Sequence, residues 1–158
     1  MAHDPSAFMR RAVELSRVHM EAGEGGPFGA VVVRDGRILG EGWNRVTSTH
    51  DPTAHAEITA IREACRALGT FELRGCEIYT SCEPCPMCLA SAYWARITRI
   101  VYSNTRDESA EIGFDDAFIY DEMPKAPSER AIVMEHRPTD EATAAFAAWT
   151  AKADKIAY

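Results

Sequence analysis

The feature that most constrains the fold is the stretch YTSCEPCPMC, in which Cys82, Cys85 and Cys88 follow one another at even intervals of three residues. Closely spaced thiols of this kind are typical of a metal site, and an odd total of five cysteines argues against a framework of paired disulfides. We expect a helix from Pro84 to Trp94. Cys85 and Cys88 then lie three residues apart in its first turn, so their thiols face the same side.

The identity of the metal depends on which side chains complete its coordination. An iron–sulfur cluster of the C-x2-C-x2-C-x3-C-P type needs a fourth cysteine at a position that holds Ala92. Zinc instead takes four nitrogen or sulfur donors in structural sites, or three donors and one open position in catalytic sites. His55 is the favoured third donor, and His50, in a polar loop, is its rival. Either His50 or Cys82 would close the shell of a purely structural zinc site.

Glu57 follows His55 by two residues, in the stretch HAEITAIREAC. Two such residues diverge by about 200° on an ideal helix, so both can face one metal only if His55 stands at the helix start. H-x-E followed, after a strand, by P-C-x-x-C is the signature of zinc-dependent deaminases. We therefore favour a catalytic zinc site with Glu57 as its proton carrier. Glu83 is the rival carboxylate, and we interpret it as a helix-start residue.

The order of the predicted elements indicates an α/β fold. A helix begins at Asp4 and Pro5, and a hairpin turning at Asp35–Gly36 follows in the stretch AVVVRDGRILGEGWN. Three later strands, CEIYTS, RIVYS and AIVMEH, alternate with helices, the last of which starts at Asp140. We expect a single domain, residues 1–158, folded as a three-layer α/β/α sandwich around a mixed five-stranded sheet.

Composition argues against two classes of partner. The net charge is −7 and the longest basic cluster is Arg10–Arg11, so no basic stripe suits a nucleic-acid backbone. The chain shows no apolar run long enough to cross a bilayer and no apolar core of a signal peptide. We expect no nucleic acid, no membrane and a cytoplasmic location.

Five stretches, taken together, indicate a protein family: GGPFGAVVV, GWNRVTSTHDPTAHAEITAIR, YTSCEPCPMC, ASAYWARI and GFDDAFIYDE. Together they resemble the guanine deaminases of the cytidine deaminase-like zinc deaminase superfamily, from about residue 5 to Tyr158. The resemblance implies a cytidine deaminase-like fold and Zn²⁺ held by His55, Cys85 and Cys88. It also implies hydrolytic deamination of a free purine base, guanine, to xanthine and ammonia.

The resemblance assigns catalytic roles to two acids. Glu57 would take a proton from the attacking water, deliver it to the ring nitrogen and help to protonate the leaving ammonia. Asp116, the second acid of GFDD, would be a second proton shuttle, although Asp115 and Asp116 also fit a solvated acidic face.

For the substrate itself we expect contacts from several parts of the chain. Phe28 is suited to stack on the base, and the amide of Asn44 both donates and accepts, which suits a purine edge. The backbone N–H of Ala56 is placed to hold a substrate carbonyl. Trp94 is a candidate pocket wall, although a tryptophan in such a helix is more often a core residue, and Tyr158, by resemblance, caps the pocket.

The resemblance also implies a homodimer and raises the exchange of a C-terminal segment, roughly residues 138–158, between its subunits. Three alternatives remain open at this point. A tRNA adenosine deaminase would share every zinc residue, and an aminohydrolase for another small nucleobase, nucleoside or triazine would differ only in its pocket. A structural zinc knuckle in a binding module would have a closed shell and no role for Glu57.

Overall fold

The structure, a computed structural model, describes residues 4–158, which divide into two units, a first unit that ends at Ala117 and a second unit, Phe118–Tyr158. Within these residues no helix combines the length and the apolar character that crossing a bilayer demands. The elements, in chain order, are α1 (Pro5–Glu21), β1 (Gly29–Arg34), β2 (Arg37–Trp43), α2 (Val46–Thr49), α3 (Ala56–Leu68), β3 (Glu77–Cys82), α4 (Pro86–Trp94), β4 (Arg99–Asn104), α5 (Arg106–Glu111), α6 (Ala117–Glu122), the 3₁₀ turn Pro127–Glu129 and α7 (Asp140–Ala151).

The hairpin prediction is confirmed. Asp35 and Gly36 connect β1 to β2, and both have positive φ angles, 52° and 71°, as a tight hairpin turn requires. β1 pairs antiparallel with β2 and with β3, whereas β3 and β4 are parallel. The result is a mixed sheet with the strand order β2-β1-β3-β4.

Helices cover both faces of this sheet. On one face, Leu15 of α1 packs into a cluster with Val31, Val33 and Tyr79. The alternate residues of β1 point to the other face, as the two-residue period of a strand dictates. There they join the alanine stripe of α3 in the larger core cluster, which includes Ala30, Val32, Ala56, Ala60, Ala64 and Ile78. The first unit is therefore an α/β/α sandwich, as predicted.

α3 lies unusually close to β2 because two glycines face it. A Cβ added at Gly42 would lie 2.2 Å from the carbonyl oxygen of Ala56 and 2.5 Å from the nitrogen of Ala60. At Gly40 the corresponding distances are 2.4 Å to the oxygen of Ala60 and 2.5 Å to the nitrogen of Ala64. The backbone of β2 thus determines where the first turns of α3 lie.

The prediction of a fifth strand at AIVMEH, residues 131–136, is wrong, because the sheet has four strands. Ile132 and Val133 are 78% and 91% exposed. A β-branched run forms a strand only where another strand offers backbone partners. The second unit provides none among its described residues, which form helices and a 3₁₀ turn.

The helix expected to open at Pro84 begins two residues later, at Pro86. A residue that precedes a proline is pushed out of the helical region, and Cys85 accordingly has φ −65° and ψ 169°. Cys85 is therefore the N-cap of α4, and Cys88 lies in its first turn. The two thiols still stand at the same end of the helix.

Candidate active site

The three predicted metal ligands meet where α3 and α4 begin. His55 is the N-cap of α3, with φ −69° and ψ 159°, so the condition that His55 stand at the helix start is confirmed. Its Nδ1 lies 3.5 Å from the sulfur of Cys85 and 3.5 Å from the sulfur of Cys88. The ligand atoms of all three residues lie within 4.8 Å of one another.

This donor set fits a zinc ion. Zinc–sulfur bonds of about 2.3 Å and zinc–nitrogen bonds of about 2.0–2.1 Å at tetrahedral angles separate nitrogen from sulfur by about 3.6 Å. The observed separations of 3.5 Å agree with that value. Neither His55 nor Cys85 makes a side-chain cap hydrogen bond to its own helix, so both side chains are available to the ion. One imidazole and two thiols leave the fourth tetrahedral position for a reactant.

The ligand cluster favours a thiolate. A hydrogen bond from Cys88, joined by one from His55, lowers the pKa of Cys85 to about 4. Sharing that bond, together with burial, raises the pKa of Cys88. One of the two thiol protons is thus readily lost, and a cation bound between the two sulfurs would favour loss of the other.

Glu57 is buried beside these ligands. Its Oε2 accepts a hydrogen bond from the sulfur of Cys88 at 3.4 Å. Removal from water raises the pKa of the Glu57 carboxyl above its ordinary value. A carboxyl that can hold a proton next to a metal site is the group expected of a general acid–base catalyst.

A cavity of about 390 Å³ opens in front of the ligands, and every residue that lines it belongs to the first unit. Its volume lies in the range of pockets that enclose small molecules. The structure brings six of the predicted site residues to its walls: Phe28, Asn44, His55, Glu57, Cys85 and Asp116.

Asn44 enters the site with its amide already oriented. Its Oδ1 accepts hydrogen bonds from the backbone nitrogens of Gly26 and Val46, both at 3.2 Å, and the residue is only 6% exposed. The amide oxygen is therefore committed to the chain. Its Nδ2 remains as a donor. The expectation that Asn44 both donates to a ligand and accepts from it is therefore reduced to donation alone.

Two aromatic rings form one wall of the cavity. Phe28 and Phe114 meet edge to face, with ring centroids 4.9 Å apart. Gly26 lies beside them, and a Cβ there would approach the Phe114 ring to 3.1 Å. An edge-to-face pair of this kind is a rigid apolar surface against which a flat ring can lie.

Two acids of the GFDD motif also line the cavity, and their surroundings differ. Asp115 Oδ1 accepts a hydrogen bond from the backbone nitrogen of Ala117 at 2.9 Å, which engages it with the start of α6. Asp116 is partly buried, and that burial raises the pKa of its carboxyl. The Asp116 carboxyl therefore retains a proton more readily than a fully exposed aspartate does.

The rival ligands and the rival carboxylate have other contacts. Glu83 Oε2 accepts a hydrogen bond from the backbone nitrogen of Arg106 at 3.1 Å. Glu83 therefore binds the first residue of a helix, as expected, but the helix is α5 and not α4. The sulfur of Cys82 donates to the carbonyl of Thr105 at 3.7 Å. Among the described residues, neither Cys82 nor His50 belongs to the ligand group, which contains three side chains.

Residues 2–104 match the cytidine and deoxycytidylate deaminase zinc-binding region. The chain belongs to this deaminase family. It is 51% identical to guanine deaminase from Bacillus subtilis over 151 residues, which cover 96% of this chain and 97% of that protein. The X-ray structure of guanine deaminase from Bacillus subtilis superposes with a TM-score of 0.95 at 50% identity, covering 98% of this chain and 99% of the other.

Two further proteins resemble a smaller part of the chain. A protein crystallised in complex with 2,6-diaminopurine is 36% identical and superposes with a TM-score of 0.69, covering 73% of this chain and 65% of the other. The tRNA-specific adenosine deaminase of Aquifex aeolicus is 43% identical over 96 residues, which is 61% of this chain and 63% of that protein.

Three predicted substrate contacts do not line the cavity. Ala56 is fully buried at the first position of α3, where a helix leaves its N–H groups without partners inside the helix. Trp94 ends α4 and is 63% exposed, with the guanidinium of Arg96 6.0 Å from its ring centre. Tyr158 belongs to the second unit and is 73% exposed. Their roles toward the substrate stay predictions.

The deaminase site also contains residues that the sequence interpretation missed. Phe114 precedes the two acids of GFDD, and Ser109 and Arg106 lie on α5. A signal for Phe114 was present, since GGPFG and GFDD each place a phenylalanine next to a glycine. Arg106 and Ser109 lie in a segment that the sequence suggests is merely an acidic surface.

Proposed function

We propose that this chain is a zinc-dependent guanine deaminase, an aminohydrolase that converts guanine and water to xanthine and ammonia. The observation that supports this most strongly is the near end-to-end likeness to guanine deaminase from Bacillus subtilis. The likeness to the tRNA-specific enzyme covers a smaller share of both chains. A net charge of −7 is also poorly suited to holding a tRNA backbone.

His55, Cys85 and Cys88 would hold zinc, whose Lewis acidity makes water a nucleophile near neutral pH. Glu57 would receive the proton of that water on its carboxylate. Because burial raises the pKa of Glu57, the carboxyl keeps this proton long enough to pass it to the ring nitrogen next to the carbon that loses its amino group. Asp116 would serve as the second shuttle, toward the departing amino group.

The cavity would recognise the base by shape and by one oriented donor. Phe28, with Phe114 at its edge, offers an apolar surface to the purine ring. The Nδ2 of Asn44 donates to an acceptor atom on the purine edge. The N–H of Ala56 holds the carbonyl of the base, and Trp94 and Tyr158 close the pocket in the assembled enzyme.

We further propose one domain, residues 1–158, that assembles as a homodimer in the cytoplasm, with the segment of roughly residues 138–158 exchanged between subunits. Five large apolar side chains of the second unit support this, because each is exposed: Ile132, Val133, Phe146, Trp149 and Ile156. The cytoplasm suits a site that needs reduced thiols. Sedimentation of the zinc-loaded protein tests the dimer, and a monomer at micromolar concentration would contradict it.

The function is tested by release of ammonia from the zinc-loaded chain across a panel of substrates. The panel contains guanine, adenine, cytosine, their nucleosides, a triazine and a tRNA anticodon arm. We expect guanine to have the highest kcat/KM. If any other member of the panel has a higher kcat/KM, that compound, and not guanine, is the preferred substrate.

Glu57→Gln separates catalysis from a structural role of the site. We expect the variant to keep its zinc and its fold and to lose turnover by about 100-fold or more, the usual contribution of a general acid–base group. Glu83→Gln is the matched comparison, since Glu83 is the rival carboxylate, and it should retain most of the activity. The reverse order of effects would make Glu83 the proton carrier.

A further inference from the structure

A cluster of three side chains joins the end of α1, the loop that follows it and the end of β2. The indole nitrogen of Trp43 donates to Glu24 Oε2 at 2.6 Å. The ring of His19 stacks on Trp43, with centroids 3.6 Å apart and planes 4° from parallel. His19 Nδ1 lies 3.1 Å from Glu24 Oε1. We call His19, Glu24 and Trp43 the clasp, and none of the three lines the catalytic cavity.

The acceptor in the clasp is a charged group. The neighbouring His19 ring and then the hydrogen bond from the Trp43 indole hold the pKa of Glu24 below its ordinary range, so its carboxylate is ionised. Hydrogen bonds to an ionised acceptor are stronger than those between neutral groups. The contact between the loop and β2 is therefore stronger than an ordinary surface hydrogen bond.

Each end of the clasp lies within two residues of a group that sets the orientation of the Asn44 amide. Glu24 precedes Gly25 and Gly26, and Trp43 precedes Asn44. The nitrogen of Gly26 donates to Asn44 Oδ1 at 3.2 Å. Gly25 approaches so closely that an added Cβ would lie 2.1 Å from the carbonyl oxygen of Asn44. The loop can thus hold the Asn44 amide only while it stays pressed against the end of β2.

From these contacts we propose that the clasp is a positioning device that keeps the amide of Asn44 turned with its donor toward the base. When the clasp opens, the loop retreats and Oδ1 keeps only the hydrogen bond from Val46. The amide is then held by one hydrogen bond instead of two, and its donor points toward the base for a smaller fraction of the time. Binding of the base weakens, whereas proton transfer at Glu57 does not change. The inference rests on the proposed deaminase function, and it predicts a rise in KM with kcat nearly constant.

Four variants test the clasp. Trp43→Phe keeps a ring for His19 but removes the indole donor, and Glu24→Ala removes the acceptor. Each should raise KM for guanine about five- to tenfold, the effect of roughly one hydrogen bond, with kcat within about twofold. Glu24→Gln keeps an acceptor and should restore KM to within about threefold of wild type. Glu21→Ala, an exposed glutamate at the end of α1, is the matched control and should have the wild-type KM.

The double variant tests whether the two residues act as one unit. Glu24→Ala combined with Trp43→Phe should raise KM no more than the larger single effect, because both changes break the same contact. Effects on KM that multiply would overturn the clasp. An unchanged KM in both single variants would also overturn it. A fall in kcat as large as the rise in KM, accompanied by a lower unfolding temperature, would do the same.

Hydrogen exchange supplies a readout that does not depend on the reaction. The amide of Gly26 should exchange faster in Trp43→Phe and in Glu24→Ala than in the wild type or in Glu21→Ala, because its acceptor is released. Unchanged exchange would overturn the clasp even if guanine is the substrate. Faster exchange in a protein that turns over no purine base would refute the proposed function and leave the clasp standing.

Discussion

Replacing Gly42 by alanine tests whether the contact between β2 and α3 sets the geometry of the catalytic residues. The added Cβ would lie 2.2 Å from the carbonyl oxygen of Ala56. The start of α3 must therefore retreat by about 0.8 Å, the difference between 2.2 Å and the 3.0 Å below which real Cβ contacts essentially never fall. Ala56 stands between His55 and Glu57, so both side chains move with it.

Two magnitudes follow from that displacement. Forcing an extra methyl group into a filled contact costs about 1–3 kcal/mol of folding free energy. A misplacement of about 1 Å at a catalytic group can cost on the order of 100-fold in rate. We therefore expect Gly42→Ala to lower the unfolding temperature and to reduce kcat/KM for guanine by tens-fold or more in the molecules that remain folded.

The assay combines thermal unfolding, zinc content per chain and ammonia release from guanine. Gly75→Ala is the matched control, because Gly75 has φ +76° and no neighbouring atom within 4 Å of an added Cβ. That variant carries backbone strain of about 1–2 kcal/mol but does not displace α3. Wild-type kcat/KM in Gly42→Ala would refute the reasoning, as would an equal loss of activity in Gly75→Ala.

Three further predictions concern single side chains. Cys82→Ser should retain about one zinc per chain by metal analysis, because three donors suffice for a catalytic zinc; loss of the metal would make Cys82 a ligand. Asp116→Asn should slow guanine turnover at least about tenfold more than Asp115→Asn if Asp116 is a general acid–base group. Equal effects would mean that neither acid takes part in proton transfer and that both are solvated surface residues. The paired hydrogen bonds from Arg11 to Glu41, at 2.8 and 2.7 Å, hold the pKa of Glu41 below its ordinary 4.5. The pair therefore contributes stability above that pH and loses it as the pH falls through the folded-state pKa. Glu41→Gln should cost up to about 1 kcal/mol near neutral pH, since both side chains are partly exposed. In denaturant titrations the difference should shrink in acid, and a constant difference would contradict this account.

Features governed by neighbouring residues could be predicted from the sequence. The hairpin followed from Asp35–Gly36, and the start of α1 followed from Asp4 and Pro5, which are its N-cap and its first residue. The requirement that His55 stand at a helix start came from the angle between residues two apart on a helix. In each case a backbone preference or a fixed helical angle decides the outcome within a few residues.

Features that depend on a distant partner could not be predicted in this way. Residues 131–136 have the composition of a strand, but a strand forms only where another backbone can pair with it. Asn44 has an amide that could face a ligand in either orientation, and only the folded loop shows that Gly26 and Val46 bond its oxygen. Phe114 reaches the cavity through a turn whose path the sequence does not reveal.

The N-caps of α3 and α4 have a consequence for the lifetime of the protein. His55 and Cys85 occupy the positions at which a side chain normally secures a helix end, a contribution of about 1 kcal/mol, and neither makes that bond. Bound zinc would join these two helix starts to Cys88 and so supply the missing restraint for both. Loss of the ion would thus expose the chain around residues 55 and 85 to proteolysis as well as ending turnover. The amount of this enzyme in a zinc-starved cell would then be limited by degradation as much as by synthesis.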